Sequence, residues 1–211
     1  MLDINDYDEL NEVVGMKRSE DYSDYFDVME ISDEEKGKRI DLAEKLGDNF
    51  LLVLAFLFTM QQYQEIEWET IRIRFENAYK NAIDNVIETD EYMESYILNF
   101  SHNAIESTQS HVDDPYYYSM DRSRLMAENE SNMAWNYSDY REAVRSGKTR
   151  KRWVDIRDRK ERDSHRKVGG TIKPIGEPFT VGGYYMDFPK DDSYGADASQ
   201  IANCRCSIIY Y

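Results

Sequence analysis

Nine consecutive apolar residues, Phe50 to Phe58, lie inside an uncharged run from Asn49 to Gln64, in a chain whose formal net charge is −16. A helix that is apolar on every side must be covered on every side. The run falls well short of the roughly 20 residues needed to cross a bilayer. The sequence therefore predicts a buried helix, central in a bundle or covered by another subunit, and no membrane partner. A chain of 211 residues can build a real core around it, as one sizeable domain or as a helical part with a small appended module.

The neighbouring segments supply that bundle. Ser32-Asp-Glu-Glu35 is a capping box, with Ser32 as N-cap and Glu35 reaching back. It predicts a helix from about Asp33 to Gln64, with Gly47 as its weak point. Trp68, Ile71, Phe75, Ala78, Ala82 and Val86 recur at steps of three and four, the mark of an amphipathic helix. Another is expected over Glu91–Thr108, with Met93, Ile97 and Ala104 on one side and Tyr96 and Phe100 beside them. Asp113-Asp-Pro115 then breaks the pattern. From Asp121 to Arg145 a last long helix carries Met126, Met133, Tyr137, Tyr140 and Val144 on one stripe. Glu130 and Asn136 fall on or beside that stripe, where burial requires them to have partners.

After Gly147 the composition changes. Thr171–Pro174, Pro178–Val181, Tyr184–Met186 and Cys206–Tyr210 are short strand-like pieces parted by turns such as Val181-Gly-Gly183. The expected fold class is α+β. Its parts are an acidic arm over residues 1–35, a helical region over 36–147 and a small C-terminal module over 148–211. Residues 1–35 hold 13 Asp and Glu against Lys17 and Arg18, so the arm is expected to be solvated or to fold on a partner. The first 30 residues lack the cationic start and apolar run of a secretory leader. Two cysteines one residue apart give no disulfide framework, and an intracellular origin is the natural expectation.

A net charge of −16 argues against a general nucleic-acid binder, but the average conceals a polarised chain. Between Arg141 and Lys167 there are 12 Lys and Arg against 5 Asp and Glu. Lys148, Arg150, Lys151, Arg152 and Arg157 are thus candidates for contact with phosphate or with an acidic protein surface, in this chain or in a neighbouring one. Trp153, inside the run, more often packs than stacks on a base.

Two kinds of chemistry suit the same end of the chain. His165, Cys204 and Cys206, with Asp158 or Asp191 as a fourth group, have the identities of zinc ligands. Structural zinc sites more often space their cysteines by two to four residues, and the competing reading is a pair of small core thiols. Asp158, Arg162, Ser164 and His165 also contain the parts of a nuclease, with His165 as general acid or base and an arginine on phosphate. No nucleophile elbow, phosphate loop or His-Glu-x-x-His accompanies them. A charged structural network is the alternative.

The order of these residues resembles a known family. Trp153, Asp158, Lys160, Arg162, Ser164, His165 and Gly170 follow one another, then a Pro189-x-Asp191 turn, then Asn203-Cys204-Arg205-Cys206, with Glu130 and Asn136 six residues apart in the preceding helix. From about Arg124 to Tyr210 the chain resembles the Mu F-like minor head proteins of tailed bacteriophages, the phage head morphogenesis family. The resemblance implies a non-enzymatic structural protein of the virion head, assembled in the host cytoplasm. Its implied partners are the portal protein, other head proteins and packaged DNA; no cofactor is expected unless His165, Cys204 and Cys206 hold a metal. The competing class is a small nuclease or toxin-like enzyme built on His165 and adjacent arginines. On the first reading Glu130, Asn136, Asp158, Arg162 and His165 form a structural polar network, and Cys204 and Cys206 anchor the last strand.

Overall fold

The computed structural model describes residues 22–63 and 66–211. The acidic arm lies outside the described residues as far as Asp21. From Tyr22 onward it is built into the fold: α1 (Ser23–Phe26) buries Phe26, and Met29 follows it into the core. Four longer helices come next, α2 (Asp33–Gln62), α3 (Trp68–Ile83), α4 (Glu91–Ser110) and α5 (Met120–Arg145), with a 3-10 turn at Pro115–Tyr118 before the last. The C-terminal part consists of β1 (Arg150–Val154), α6 (Asp163–Val168), β2 (Ile172–Pro174), β3 (Phe179–Val181), β4 (Tyr184–Met186), α7 (Ala198–Ile201) and β5 (Ser207–Tyr210). The fold is α+β. Among the described residues no helix is long and apolar enough to cross a membrane.

Two compact units divide the described chain. One comprises residues 41–127; the other comprises 22–40 together with 128–211, so α2 and α5 each contribute to both. In the first unit the apolar run carries out its predicted role. Phe50, Leu54 and Leu57 are fully buried and the remaining large side chains of the run are buried or half-buried. Phe50 stacks on Phe75 at 4.5 Å between centroids, and Tyr79 meets Phe50 and Phe100 edge-on at 5.7 and 5.6 Å. Helix α2 runs through Gly47 without a break, and its carbonyl there accepts from Ser123 Oγ at 2.7 Å. The capping box forms: Ser32 Oγ accepts from the Glu35 amide at 3.2 Å, and Glu35 accepts from the Ser32 amide at 3.1 Å. Helix α3 ends at Ile83, short of Val86, because Asn85 turns into the left-handed region at φ 61°. At the end of α5, Val144 is half exposed, so the expected stripe ends before it.

In the second unit β1 is the central strand of a three-stranded antiparallel sheet ordered β2-β1-β5. Trp153 stands opposite Ile208 and Lys151 opposite Tyr210. Strands β3 and β4 form a hairpin across Gly182-Gly183, whose φ values of 60° and 94° suit the two left-handed positions of a type I′ turn. Trp153, Phe179, Val181, Met186, Ala196, Cys204 and Cys206 close around one core. Sequence reasoning placed β2 to β5 and missed β1, whose five residues begin Arg-Lys-Arg.

Candidate functional site

The basic run does not present one cationic face. Strand geometry sends alternate side chains to opposite sides, and Lys151 points inward, fully buried. Its Nζ donates to Asp187 Oδ1 at 2.7 Å and to the Asp187 carbonyl at 3.0 Å. Burial lowers its pKa, and the Asp187 carboxylate works against that shift. Lys151 is therefore a structural cation, and its assignment to phosphate or partner contact is corrected. Lys148 and Arg150 are exposed and Arg152 is half-buried. Arg157 keeps 71% of its side chain exposed while its Nε donates to Asp155 Oδ2 at 3.3 Å.

Glu130, Asn136, Asp158, Arg162 and His165, the expected network, take their contacts from several elements of the second unit, and Glu130 and Arg162 both act electrostatically on Lys190. Asp158 pairs with Arg205 at 2.5 Å. Arg162 donates to the Ala202 carbonyl, and Ser164 donates to Gln200 Oε1 at 2.8 Å. Glu130 lies in a stretch of α5 that is buried on every side from Glu128 to Ala134, and Asn136 is buried just beyond it.

This part of α5 grips the Asn203–Cys206 segment. Asn129, Asn132 and Asn136 are spaced by three and four residues and so share a helix face. Asn129 Oδ1 accepts from the Asn203 amide at 2.7 Å, and its Nδ2 donates to Asn203 Oδ1 at 2.8 Å. Asn132 Nδ2 donates to the Cys204 carbonyl at 2.9 Å, and Asn136 Nδ2 to the Cys206 carbonyl at 3.2 Å. Tyr25 from the N-terminal segment adds a donor to the Cys204 carbonyl at 2.9 Å. Arg39, also buried, donates to Asn132 Oδ1 at 2.9 Å and pairs with Asp139 at 3.0 Å. Lys190 completes the clamp, donating to Asn129 Oδ1 at 2.6 Å beside the carboxylate of Glu130. Burial lowers the Lys190 pKa, and Glu130 opposes that effect. Asn129, Asn132, Lys190, Arg39 and Tyr25 escaped sequence reasoning. The three-and-four spacing of the asparagines was the available signal.

The segment so held carries its two thiols to one place. Cys204 Sγ and Cys206 Sγ each lie 3.5 Å from His165 Nδ1 on α6, and all three residues are buried. The thiols interact with each other: hydrogen bonding to Cys206 is the main influence drawing Cys204 well below the usual thiol pKa, and the same contact raises Cys206 well above it. The His165 ring meets Trp153 edge-on at 5.9 Å, and Trp153 rests on Phe179. His165, Cys204 and Cys206 are thus the residues able to hold a metal. The two proposed fourth groups are engaged elsewhere, Asp158 with Arg205 and Asp191 with the amides of Asp187 and Ser193 at 2.7 and 3.0 Å. The ring of His165, which the nuclease reading takes as general acid or base, is buried and faces the two sulfurs.

Gly170 sits at φ 77°, and its amide donates to the Trp153 carbonyl at 2.9 Å, returning the chain from α6 to the sheet. Every residue of the sequence motif lies in the second unit, and Trp153, Cys204 and Cys206 among them are part of its core.

A family model described as phage Mu protein F like protein matches residues 75–209. No curated protein and no solved structure matches the chain. The matched region contains Trp153, His165 and the Asn203–Cys206 segment, and it begins in α3, well upstream of Arg124, where the motif became readable. A match over more than half of the chain settles the family: this protein belongs to the phage Mu protein F like family of head morphogenesis proteins.

Proposed function

We propose that this chain is a structural minor head protein of a tailed bacteriophage or prophage, acting at the portal vertex beside the packaged DNA. The family match over residues 75–209 carries the reading. The distribution of charge gives it a physical form. The second unit exposes Lys148, Arg150, Arg157, Arg159, Lys160 and Lys167, although the chain as a whole carries −16. Such a surface meets DNA phosphates by releasing counterions, without reading sequence. The acidic remainder suits a basic surface on a portal or another head protein. Protein and DNA would then be held by different parts of one chain.

The test is a paired binding measurement on the purified full chain. Portal protein is captured on the immobilised chain, and affinity for duplex DNA is measured across a salt series. In the K148E/R150E/R157E variant the slope of log affinity against log salt is expected to fall by about 3, near one unit for each phosphate no longer neutralised. Portal capture is expected to persist. A wild-type chain that captures no portal overturns the placement at the vertex; a variant with unchanged DNA affinity overturns the assignment of these cations to phosphate.

A further inference from the structure

Cys204, Cys206 and His165 converge on one buried point. The three donor atoms lie within 4.8 Å of one another, and each residue is only 2% exposed. In a tetrahedral zinc site with Zn–S near 2.3 Å and Zn–N near 2.05 Å, the sulfur-to-nitrogen edge is about 3.6 Å. Both such edges here measure 3.5 Å. Two of the three edges of one face of a coordination tetrahedron thus have the required length, and the third, between the sulfurs, is no longer than 4.8 Å.

The surrounding structure fixes that face. Asn132 and Asn136 pin the carbonyls of Cys204 and Cys206, and positions two apart on an extended segment turn their side chains the same way. The imidazole comes from a separate element, α6. Its Nδ1 faces both sulfurs, while its Nε2 is buried without a hydrogen-bond partner. Two thiolates would be costly to bury alone. A divalent cation makes the cluster neutral.

We propose that His165 Nδ1 and the thiolates of Cys204 and Cys206 bind one Zn²⁺, with a water molecule as fourth ligand. Among the described residues no fourth His, Cys, Asp or Glu joins the cluster. Binding forms two Zn–S bonds and one Zn–N bond, and the two thiol protons leave to solvent. The ion ties α6 to the segment that enters β5, a crosslink between parts of the chain about forty residues apart, where a packed pair of thiols would supply none.

The experiment is elemental analysis with native mass spectrometry on the full chain, expressed with added zinc and purified without chelator. About one zinc per chain is expected, falling to below a tenth in C204S/C206S and remaining near one in H165C, which replaces the imidazole by a third thiolate. The wild-type chain, stripped of metal and titrated with cobalt(II), should develop thiolate-to-metal charge-transfer absorption in the near ultraviolet. This readout decides the matter even if the serine variant fails to fold. A folded wild-type chain that carries no zinc and gives no cobalt spectrum overturns the site, as does zinc that persists in a folded C204S/C206S chain. Neither measurement involves portal or DNA, so its failure leaves the proposed function standing.

Discussion

The two units solve the same problem, covering a long helix, by different means. Residues 41–127 surround the apolar part of α2 with rings: Phe50, Phe75, Tyr79 and Phe100 lie 4.5 to 6.1 Å apart in stacked, tilted and edge-on pairs. Residues 22–40 and 128–211 surround the middle of α5 with amides and charges, burying Asn129, Asn132, Asn136, Arg39, Lys151, Lys190 and Asp191. Apolar burial is non-directional and tolerates exchange of one ring or branched chain for another. A buried amide or ammonium tolerates little, since removing one partner leaves another polar group unsatisfied. The first unit is specified by volume and the second by individual atoms. The second is also the one that carries the family's motif residues.

The contrast predicts where the molecule is most fragile. Replacing Lys151 by Met retains an unbranched apolar stem but leaves the Asp187 carboxylate without its buried cation. Breaking such a pair from one side costs about 3–5 kcal/mol. Urea unfolding should show that destabilisation, and adding D187N to K151M should recover part of it, because no uncompensated charge then remains. A destabilisation below about 1 kcal/mol would place Lys151 among the solvated cations. The comparison sharpens with two exchanges to leucine, one in each unit. Phe50→Leu in the ring cluster is expected to cost about 1–1.5 kcal/mol. Asn132→Leu strips Arg39 of one acceptor and the Cys204 carbonyl of one donor, and should cost about 2–3 kcal/mol. Equal midpoint shifts in the two variants would erase the distinction between the units.

The same contrast sorts what could be read from the sequence. The capping box at Ser32, the apolar steps through α3 and the Gly182-Gly183 hairpin depend on residues a few positions apart, and each appears where expected. Strand β1 was not legible. Arg150-Lys-Arg152 looks like a solvated charge run until Asp187, thirty-six residues beyond Lys151, supplies the partner that lets that lysine turn inward. The end of α3 depends on one left-handed residue, Asn85, which a hydrophobic period does not register. Identities at the candidate site were visible, since His165, Cys204 and Cys206 stand out by type. Their convergence was not, because it depends on the grip of Asn129, Asn132 and Asn136 on a segment some seventy residues further along the chain.

The smallest predicted effect tests how tightly the second unit holds its aromatic edge. Tyr140 on α5 packs against Phe188 at 5.5 Å, and the Lys151 ammonium lies 5.1 Å over its ring. Burial, reinforced by the Asp187 carboxylate, pushes its pKa up to about 12. In the unfolded chain a tyrosine ionises near pH 10, so between about pH 10 and 12 the folded state binds more protons than the unfolded one and stability falls as pH rises. The contribution of Tyr140 is complete below about pH 10 and is lost as pH climbs through 12. Its ring is partly open to solvent, so screening keeps the effect modest. Urea midpoints followed across this window should decline less steeply for Tyr140→Phe than for wild type. Phe75→Leu, which removes no titrating group from the first unit, should lie below wild type by a constant offset. If the Tyr140→Phe and wild-type curves run parallel, Tyr140 ionises as freely in the fold as outside it, and the polar clamp does not extend to this edge of the sheet.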